Sequence, residues 1–427
     1  MESKSRREFI ISLGAVAASA AMPALAASEE RELVVLTAYP DEVVSRYESL
    51  FGKAYPQYRL KIIWRMPFDA VPYLEKQGGV DVYWSASPPA YYRLKAKGAW
   101  RRIGIDRSGL PGRIGNTLID DPDGYFVATE VAAYGFLVNP AYLEKHELPV
   151  PKDWGDLADP RYFGHVVMPT PSLVGFAPVM VDIPLQYFGW ERGWAMWSAI
   201  AANSGFVGAK GAFITDEVDS NKYGVGLTID FFAASKIANG SSMKFIYPEH
   251  GGVNPGQVAI ASGCRNPEGA KAFVSLLLSE KGQTILADPD IRKLPVRPSV
   301  YSGLAGNYYN PFAAAEKGGY AYDNDRGRPR LALLAAAFEQ GFIRSRDERA
   351  MLWRELNQLG TGAKDEAFRL FTAPPVSDEE AADPALQHAF AARGENAQFE
   401  AQAAQAERKW ADQALVRLEK VGRLIKA

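Results

Sequence analysis

Six hydroxyl-bearing residues stand where predicted strands end and predicted helices begin. They are Thr37, Ser85, Ser87, Thr170, Ser172 and Thr228. Four predicted helix starts share a form in which a polar or aromatic residue precedes a proline, as in Tyr39-Pro40, Ser87-Pro88, Thr170-Pro171 and Asn266-Pro267. The first turn of a helix presents unpaired N–H groups and the positive end of the helix dipole, and both favour anions. Hydroxyls beside such turns add donors without adding charge, so the pattern indicates an anion-binding site.

The same residues have a simpler interpretation as helix caps. Ser87, Thr170 and Asn266 are of the types that accept hydrogen bonds from the first turn of a helix, and each such cap contributes about 1 kcal/mol. For any one of them the capping role is the better interpretation, and only the whole set points to a ligand.

Motifs that would carry catalysis or hold a cofactor are missing from the sequence. There is no G-x-x-x-x-G-K-[ST] phosphate loop, no H-E-x-x-H zinc motif and no G-x-S-x-G nucleophile elbow. Gly224-Val225-Gly226 lacks the third glycine of the dinucleotide-binding fingerprint. Asp323–Gly327 resembles a calcium loop, but its glycine falls one position early and the closing glutamate is absent. We therefore predict no catalytic residue, no resident metal and no cofactor.

The remaining reactive side chains are better explained without chemistry. His250 lies in a polar turn, and Cys264, the single cysteine, is expected to be a buried or half-buried thiol. Adjacent tyrosines can bind ferric iron, and two such pairs occur, Tyr91-Tyr92 and Tyr308-Tyr309. Neighbouring residues in a helix point about 100° apart, so packing is the better interpretation of Tyr91-Tyr92.

Charge and composition exclude several classes of protein. The 427 residues carry 48 basic and 50 acidic side chains, a net charge of −2, which gives no basic field for nucleic acid. Charged residues make up 23% of the chain, near the globular average, and one cysteine excludes an intramolecular disulfide framework. At about 150 residues per domain, the length predicts two or three domains.

Residues 1–27 have the parts of an export signal. Ser5–Ile10 contains an arginine pair, Ile11–Ala21 is uncharged, and small residues place cleavage near Ala26 or Ala27. The uncharged stretch is shorter than the roughly 20 residues that a membrane helix requires. The start is similar to a twin-arginine signal, with an ordinary secretory signal as the alternative. Either signal predicts an exported, periplasmic protein.

Strand and helix patterns alternate through the first part of the chain. Leu33–Leu36 is a continuous apolar run typical of a strand buried on both faces, and apolar residues recur at helical spacing from Val43 to Phe51. Further strands are predicted at Leu60–Trp64 and Val80–Trp84. This β-α-β-α-β-α order predicts a parallel sheet covered by helices, and such sheets bind ligands at the carboxyl ends of their strands.

The character of the chain changes near residue 300. Tyr125–Val138 has a long strand pattern. One face of a helix is indicated by the residues at i, i+4, i+7 and i+11, namely Trp190, Trp194, Trp197 and Ala201. After Pro298 the strand patterns stop and helical patterns dominate to the end, with a break at Ala373-Pro374-Pro375. We predict an α/β fold with a helical extension that packs on it.

Several segments, in order along the chain, resemble one group of solute-binding proteins. They are Leu33–Tyr39, Asp81–Ser85, Trp154–Gly164, Gly226–Phe232 and Asn254–Ile260. The group is the type II periplasmic binding proteins of ABC importers, in the branch of ferric-ion, phosphonate and phosphoglycerate receptors. The resemblance covers about residues 30–300. It implies two α/β lobes joined by crossing strands, which close on a ligand and then dock on a membrane permease.

The resemblance also implies how the chain is divided and where the ligand lies. We expect an export signal over 1–27, lobe 1 over 28–132, lobe 2 over 133–255, a return toward lobe 1 over 256–300 and a helical extension over 301–427. The implied cleft residues are Thr37, Ala38, Tyr39, Ser85, Ala86, Ser87, Thr170, Ser172 and the segment 219–228, which ends at Thr228. We expect a monomer that holds a small organic anion, works with an ABC permease and binds no nucleic acid.

One departure from the group concerns iron. Ferric members place a tyrosine pair in the second lobe, near the position of Asn221–Gly224 in this chain, where only Tyr223 stands. This favours an anion of the phosphonate, phosphoglycerate or carboxylate type, with Tyr39, Tyr223 and Tyr247 as candidate flanking aromatics. Glu130, in the predicted crossing strand, would pair an amine of the ligand or be solvated. Three alternatives stay open: a ferric-ion receptor of the same fold, a receptor for a bulkier apolar ligand, and a secreted hydrolase.

Overall fold

The structure is a computed structural model, and it describes residues 31–76, 78–208, 214–359 and 363–426. The predicted export signal therefore lies outside the described residues. The described residues form a mixed α/β fold with a helical C-terminal part, as predicted from the sequence.

The described residues contain thirteen strands. They are β1 (Arg31–Thr37), β2 (Tyr58–Trp64), β3 (Val82–Ser85), β4 (Trp100–Arg101), β5 (Arg113–Ile114), β6 (Thr117–Leu118), β7 (Phe126–Val138), β8 (Val166–Pro169), β9 (Ser204–Val207), β10 (Val225–Ile229), β11 (Lys244–Ile246), β12 (Val253–Ala261) and β13 (Leu294–Pro295). Eleven of them form one sheet with the order β2-β1-β3-β12-β7-β10-β8-β9, to which β4 is added through β12 and β11 and β13 through β7. β5 and β6 form a separate hairpin.

The α-helices cover the sheet and make up the C-terminal part. They are α1 (Asp41–Ala54), α2 (Pro67–Lys76), α3 (Pro88–Ala96), α4 (Pro140–Lys145), α5 (Ala177–Phe188), α6 (Trp190–Asn203), α7 (Ile214–Asp219), α8 (Asp230–Ala238), α9 (Pro267–Leu278), α10 (Glu280–Ile285), α11 (Pro311–Glu316), α12 (Asn324–Gly327), α13 (Leu331–Phe338), α14 (Arg346–Gln358), α15 (Ala363–Thr372), α16 (Asp378–Ala382), α17 (Pro384–Ala391) and α18 (Ala397–Lys426). Short 3₁₀ turns lie at Trp154–Ala158, Pro160–Tyr162, Pro298–Gly303 and Arg328–Arg330, and a π-helical turn at Glu339–Ile343.

Two long strands cross from one half of the sheet to the other. β7 reads FVATEVAAYGFLV, and all 13 of its residues are buried, so it has no solvent-facing side. Its first half pairs with β12, from Phe126 to Ala133, and its second half pairs with β10, from Tyr134 to Val138. We call the half built on β1, β2 and β3 lobe 1, and the half built on β8, β9 and β10 lobe 2. The exact domain boundaries given above stay predictions.

The carboxyl ends of the parallel strands in both lobes point toward this crossing. β3 is parallel to β1 and ends at Ser85, which pairs with Gln257 of β12. β10 is parallel to β8 and ends at Ile229, which pairs with Tyr134 of β7. The segments that follow these strands therefore start at the boundary between the lobes, where open α/β sheets bind ligands.

Each lobe has its own apolar core. In lobe 1 the Trp84 ring meets Phe273 edge to face at 5.9 Å between ring centres. In lobe 2 the predicted tryptophan face of α6 is confirmed, because Trp194 and Trp197 are fully buried. Trp197 Nε1 also donates to Val181 O at 2.9 Å, so the polar atom of the indole is satisfied in the core.

The predicted helix starts at Asn266 and Ser87 form, but in different ways. Asn266 caps α9, because its side chain accepts a hydrogen bond from Gly269 N–H at 3.1 Å. Ser87 precedes α3, yet its side chain makes no capping hydrogen bond. The capping interpretation is therefore confirmed for Asn266. It is wrong for Ser87, whose hydroxyl does not cap the helix.

The helix start predicted at Thr170-Pro171 is wrong. The chain turns over residues 171–176, and α5 begins only at Ala177. Gly175 interrupts the helical pattern, and Pro178 suits the first turn of the later helix. A proline in a turn gave the same sequence signal as a proline in a first helical turn.

The C-terminal part packs on the α/β body, as predicted. The break expected at Ala373-Pro374-Pro375 follows the end of α15, and α18 covers Ala397–Lys426. Residues of α13 and α18, among them Trp410, belong to the buried apolar core of lobe 2. A buried ion pair, Arg330 Nη2 to Asp182 Oδ1 at 2.6 Å, also joins this part to α5 of lobe 2.

Removing that ion pair should destabilise the protein strongly. Arg330→Ala leaves the Asp182 carboxylate buried without its charged partner, and we expect a loss of about 3–5 kcal/mol in the free energy of unfolding. Guanidinium denaturation followed by circular dichroism measures this loss. Arg326→Ala is the matched control, because Arg326 is exposed and forms no ion pair within the described residues. We expect the control to stay within about 0.5 kcal/mol of the parent, and a similarly small loss for Arg330→Ala would contradict the prediction.

Candidate functional site

Lobe 1 brings a turn with a fixed hydroxyl to the boundary between the lobes. Thr37 ends β1 and is fully buried, and its Oγ1 accepts a hydrogen bond from Tyr39 N–H at 3.1 Å. Ala38 lies between them and is half-buried. This local bond holds the turn in shape. Because a hydroxyl both accepts and donates, Thr37 keeps its proton for a second partner.

The end of β3 places two further hydroxyls at the same edge. Ser85 N–H donates to the Tyr91 hydroxyl at 2.9 Å, so the backbone of Ser85 is occupied. Ser85 Oγ is buried and has no hydrogen-bond partner among the described residues. Ala86 is exposed, and the half-buried Ser87 stands before α3 without capping it. Ser85 and Ser87 thus hold hydroxyls that the fold itself does not use.

Lobe 2 carries Thr170 and Thr228 at the carboxyl ends of β8 and β10. Thr228 is buried on β10, and Thr170 follows β8, where its N–H donates to Val207 O at 2.9 Å. Ser172 is exposed, and its Oγ donates to Glu339 Oε2 at 2.7 Å. Ser172 is therefore tied to the C-terminal part, while Thr170 and Thr228 are the hydroxyls of lobe 2 at the boundary.

A buried ion pair lies on the crossing strand between the lobes. Glu130 is 1% exposed and accepts hydrogen bonds from the hydroxyls of Tyr39 and Thr129. Lys293 Nζ lies 3.3 Å from Glu130 Oε1 and is buried as well. Burial and the neighbouring Glu130 raise the pKa of Tyr39, so its phenol stays protonated and donates. The expectation that Glu130 is solvated is wrong, and the amine that it pairs belongs to the protein.

Lys293 is a residue of this region that the sequence did not reveal. Its Nζ lies 4.6 Å from the centre of the Tyr39 ring and 4.0 Å from that of the Phe231 ring. Tyr39 belongs to lobe 1 and Phe231 to the first turn of α8 in lobe 2, so one ammonium group contacts both lobes. A lysine next to the short strand β13 carries no motif, and only its spatial partners identify it.

Asp230 is a second residue that sequence reasoning missed. It begins α8, is 4% exposed, and its Oδ2 accepts a hydrogen bond from the Tyr247 hydroxyl at 3.3 Å. Its Oδ1 is buried and has no partner among the described residues. Burial raises the pKa of Asp230 to about 7. A hydrogen bond from the Ala133 backbone and the positive charge of Lys293 act in the opposite direction and lower this pKa. The carboxyl is therefore only partly ionised at neutral pH.

The two candidate aromatics of lobe 2 lie in different places. Tyr247 lies beside Asp230, and its ring stacks on Tyr309 of the C-terminal part at 3.5 Å between ring centres. Tyr223 precedes the amino end of β10, where Val225 pairs with Val138 at the far end of β7. The structure places Tyr247 at the boundary between the lobes and Tyr223 at the opposite end of the strands.

The described residues offer no evident metal centre. They contain no group of three or more His, Cys, Asp or Glu side chains placed to hold a metal ion. The Tyr308-Tyr309 pair does not converge on one point, because the Tyr308 hydroxyl donates to Lys293 O at 2.8 Å and that of Tyr309 pairs with Tyr320 at 2.9 Å. Burial raises the pKa of both phenols, which disfavours the phenolate that ferric iron would need.

A known family matches the central part of this chain, and known proteins match part of its length. The family described as bacterial extracellular solute-binding protein matches residues 81–308, more than half of the chain. The chain belongs to this family. The phosphoglycerate transport regulatory protein PgtC of Salmonella typhimurium is 36% identical over 172 residues, which are 40% of this chain and 43% of PgtC. A Haemophilus influenzae protein is 31% identical over 169 residues, 38% of this chain and 48% of that protein. The match thus spans less than half of the length of these relatives.

Solved structures confirm the two-lobed fold of this solute-binding protein. AfuA from Actinobacillus pleuropneumoniae, with fructose-6-phosphate bound, has a TM-score of 0.53 at 18% identity and covers 74% of this chain and 99% of AfuA. Iron-bound HitA from Pseudomonas aeruginosa has a TM-score of 0.54 at 16% identity and covers 71% of this chain and 99% of HitA. At identities this low, the similarity establishes the fold and does not identify the ligand. Within the described residues, no helix has both the length and the apolar character of a membrane span.

Replacing Asp230 should change how the stability of the protein depends on pH. The pKa of Asp230 is about 7 in the folded chain and about 3.9 in an unfolded one, so the folded state binds more protons between these values. Stability should therefore fall as pH rises, by up to about 1.4 kcal/mol per pH unit between pH 5 and 7. Asp230→Asn should remove this contribution in urea denaturation series from pH 4.5 to 8.

The control for this series is Asp412→Asn, which changes an exposed carboxylate on α18. Its stability curve should run parallel to that of the parent protein. Parallel curves for the parent and Asp230→Asn would contradict the prediction, because they would mean that Asp230 titrates alike in the folded and unfolded chains.

Proposed function

We propose that this protein is the periplasmic substrate-binding component of an ABC importer and that it captures a small organic anion between its lobes. The observation that carries the proposal is that strands of both lobes carry hydroxyl side chains at their carboxyl ends, next to the crossing strand β7. Ser85 and Ser87 supply them from lobe 1, and Thr170 and Thr228 from lobe 2. Neutral donors of this kind suit an anion whose charge is shared among several hydrogen bonds.

The charges near the boundary agree with an anionic ligand. Glu130 is neutralised by Lys293, and burial keeps Asp230 only partly ionised at neutral pH. The carboxylates in this region therefore repel an incoming anion less than their number implies. The ammonium of Lys293 contacts aromatic rings of both lobes, and its charge is balanced by Glu130.

The relatives point to phosphorylated or carboxylate-bearing ligands. PgtC is named for phosphoglycerate transport, and the structure of AfuA contains fructose-6-phosphate. We therefore propose a phosphoglycerate, a phosphonate or a related carboxylate as the ligand class. The export signal predicted over 1–27 supports delivery from the periplasm to a membrane permease.

Ferric iron is the competing ligand within the same fold, since HitA is iron-bound. β10 is followed by Asp230, whose buried carboxyl is only partly ionised at neutral pH, and then by Phe231 and Phe232, whose rings have no oxygen for a metal. Tyr223 lies at the other end of that strand. These observations favour the organic anion.

A thermal-shift screen of the mature protein tests the proposal. A ligand that binds only the folded state at 100 times its Kd stabilises by about 2.7 kcal/mol. We expect stabilisation by 3-phosphoglycerate, phosphoenolpyruvate, a phosphonate or a sugar phosphate. A visible tyrosinate–iron band with ferric salts would contradict the proposal in favour of iron. Stabilisation by apolar ligands alone, or turnover of an ester or glycoside, would replace it with the apolar receptor or the hydrolase.

Single hydroxyl deletions locate the anion. Ser85→Ala and Ser87→Ala should each weaken binding of the active anion about 10- to 100-fold in isothermal titration calorimetry, since hydrogen bonds to charged groups contribute about 1.5–3 kcal/mol. The melting temperature should change little, because Ser87 does not cap α3 and Ser85 Oγ has no well-formed hydrogen bond among the described residues.

Ser262→Ala is the matched control for these variants. Ser262 is exposed and follows β12 at the edge of lobe 1 away from the boundary, so its loss should leave affinity unchanged. Equal affinity for the parent, Ser85→Ala and Ser87→Ala would exclude this hydroxyl set as the binding site.

A further inference from the structure

A short segment of the C-terminal part, Gly319–Asn324, runs from one lobe to the other. The Tyr320 side chain is buried in the core of lobe 1, and the Tyr322 side chain is buried in the core of lobe 2. These two side chains, only two positions apart in the sequence, therefore belong to different cores. We call Gly319–Asn324 the strap, and it joins the lobes in addition to β7 and β12.

The hairpin β5–β6 of lobe 1 binds one side of the strap. Asn116 N–H donates to Tyr320 O at 2.9 Å, and the Thr117 hydroxyl donates to Tyr322 O at 2.8 Å. Gly115, in the turn of this hairpin, has a φ of +55°, and any Cβ there would collide with Tyr320 O. The approach is therefore close enough to require glycine in the turn.

Asn324 adds a two-point amide contact to the same hairpin. Its Nδ2 donates to Leu118 O at 2.7 Å, and its Oδ1 accepts from Leu118 N–H at 2.9 Å. The side chain thus imitates the paired hydrogen bonds of an antiparallel ladder. Asn324 is half-buried, so water can replace these bonds when they open.

Gln186 makes the corresponding contact from lobe 2. Its Nε2 donates to Asp323 O at 2.9 Å, and its Oε1 accepts from Asp323 N–H at 2.9 Å. Ala321 N–H also donates to the hydroxyl of the neighbouring Tyr187. Adjacent residues of the strap are therefore held by amide pairs to opposite lobes.

We propose that the strap is a third connection between the lobes and that the Asn324 and Gln186 amide pairs set the equilibrium between arrangements of the lobes. β7 and β12 are continuous strands that can twist, whereas the strap is held on each side by bonds that are either made or broken. A change in the angle between the lobes must stretch the strap or open one amide pair. Each hydrogen bond contributes a factor of about 2–10 to such an equilibrium.

The test needs no ligand, so its failure is distinct from a failure of the proposed function. Spin labels at Lys53→Cys on α1 and Lys145→Cys on α4, in a Cys264→Ser background, place one exposed label on each lobe. Double electron–electron resonance on the full mature chain then gives the distribution of distances between the lobes. We expect Asn324→Ala and Gln186→Ala each to change the ratio of the populations two- to tenfold, away from the parent distribution.

Two further variants keep the test decisive. Asn324→Asp replaces the donor by a carboxylate oxygen that faces Leu118 O, so it too should shift the distribution away from that of the parent, and it serves if the alanine variant folds poorly. Asn310→Ala is the matched control, because Asn310 caps α11 through Phe312 N–H and Ala313 N–H and, within the described residues, makes no side-chain hydrogen bond across the lobes. It should lower the melting temperature and leave the distribution unchanged. Parent-like distributions in folded Asn324→Ala and Gln186→Ala, or an equal change in Asn310→Ala, would overturn the proposal.

Discussion

Glu130 carries a carboxylate into β7, a strand in which every residue is buried. A charge there is tolerated only when it is paired and hydrogen-bonded, and loss of one partner from such a pair typically costs 3–5 kcal/mol. The partner is Lys293, 163 residues later in the chain, so β13 has to return to β7, where Leu294 pairs with Val131. Across the strand, β12 shifts register at Gly256, where any side chain would collide with the Glu130 carboxylate. The return of the chain to lobe 1 and the irregularity of the second crossing strand therefore both lie at this buried charge.

The same pairing shapes what the boundary between the lobes can recognise. Because Lys293 is neutralised by Glu130, the proposed anion would have to be held by oriented neutral donors such as Ser85 and Ser87. Recognition of this kind depends on hydrogen-bond geometry more than on long-range attraction, so salt should weaken it little. The proposed anionic ligand is therefore compatible with a chain whose net charge is −2.

Local patterns predicted the elements well and their long-range partners poorly. The strand at Leu33–Leu36 and the tryptophan face of α6 follow from periodicity, because neighbours in the chain decide them. The Glu130–Lys293 contact and the burial of Asp230 depend on residues far apart in sequence, and no local signal reports them. Tyr223 shows the smallest such error. It precedes the five-residue strand β10, and Asp230 follows it, so one strand length separates opposite edges of the sheet.

The C-terminal helices are packed into the core of lobe 2, and the sequence had indicated only that they form a helical extension that packs on the α/β fold. The Phe338 ring of α13 meets Trp197 of α6 edge to face at 5.8 Å, and Trp410 of α18 stacks on Phe390 of α17 at 5.4 Å. With the buried pair of Arg330 and Asp182, these contacts make lobe 2 and the helices after residue 324 one packed body. Tight packing resists deformation, so relative motion of the lobes has to concentrate where few contacts cross. Among the described residues, such places include the two crossing strands, the contacts of Lys293 and the strap, and the strap is held on both sides by side-chain amides that water can replace.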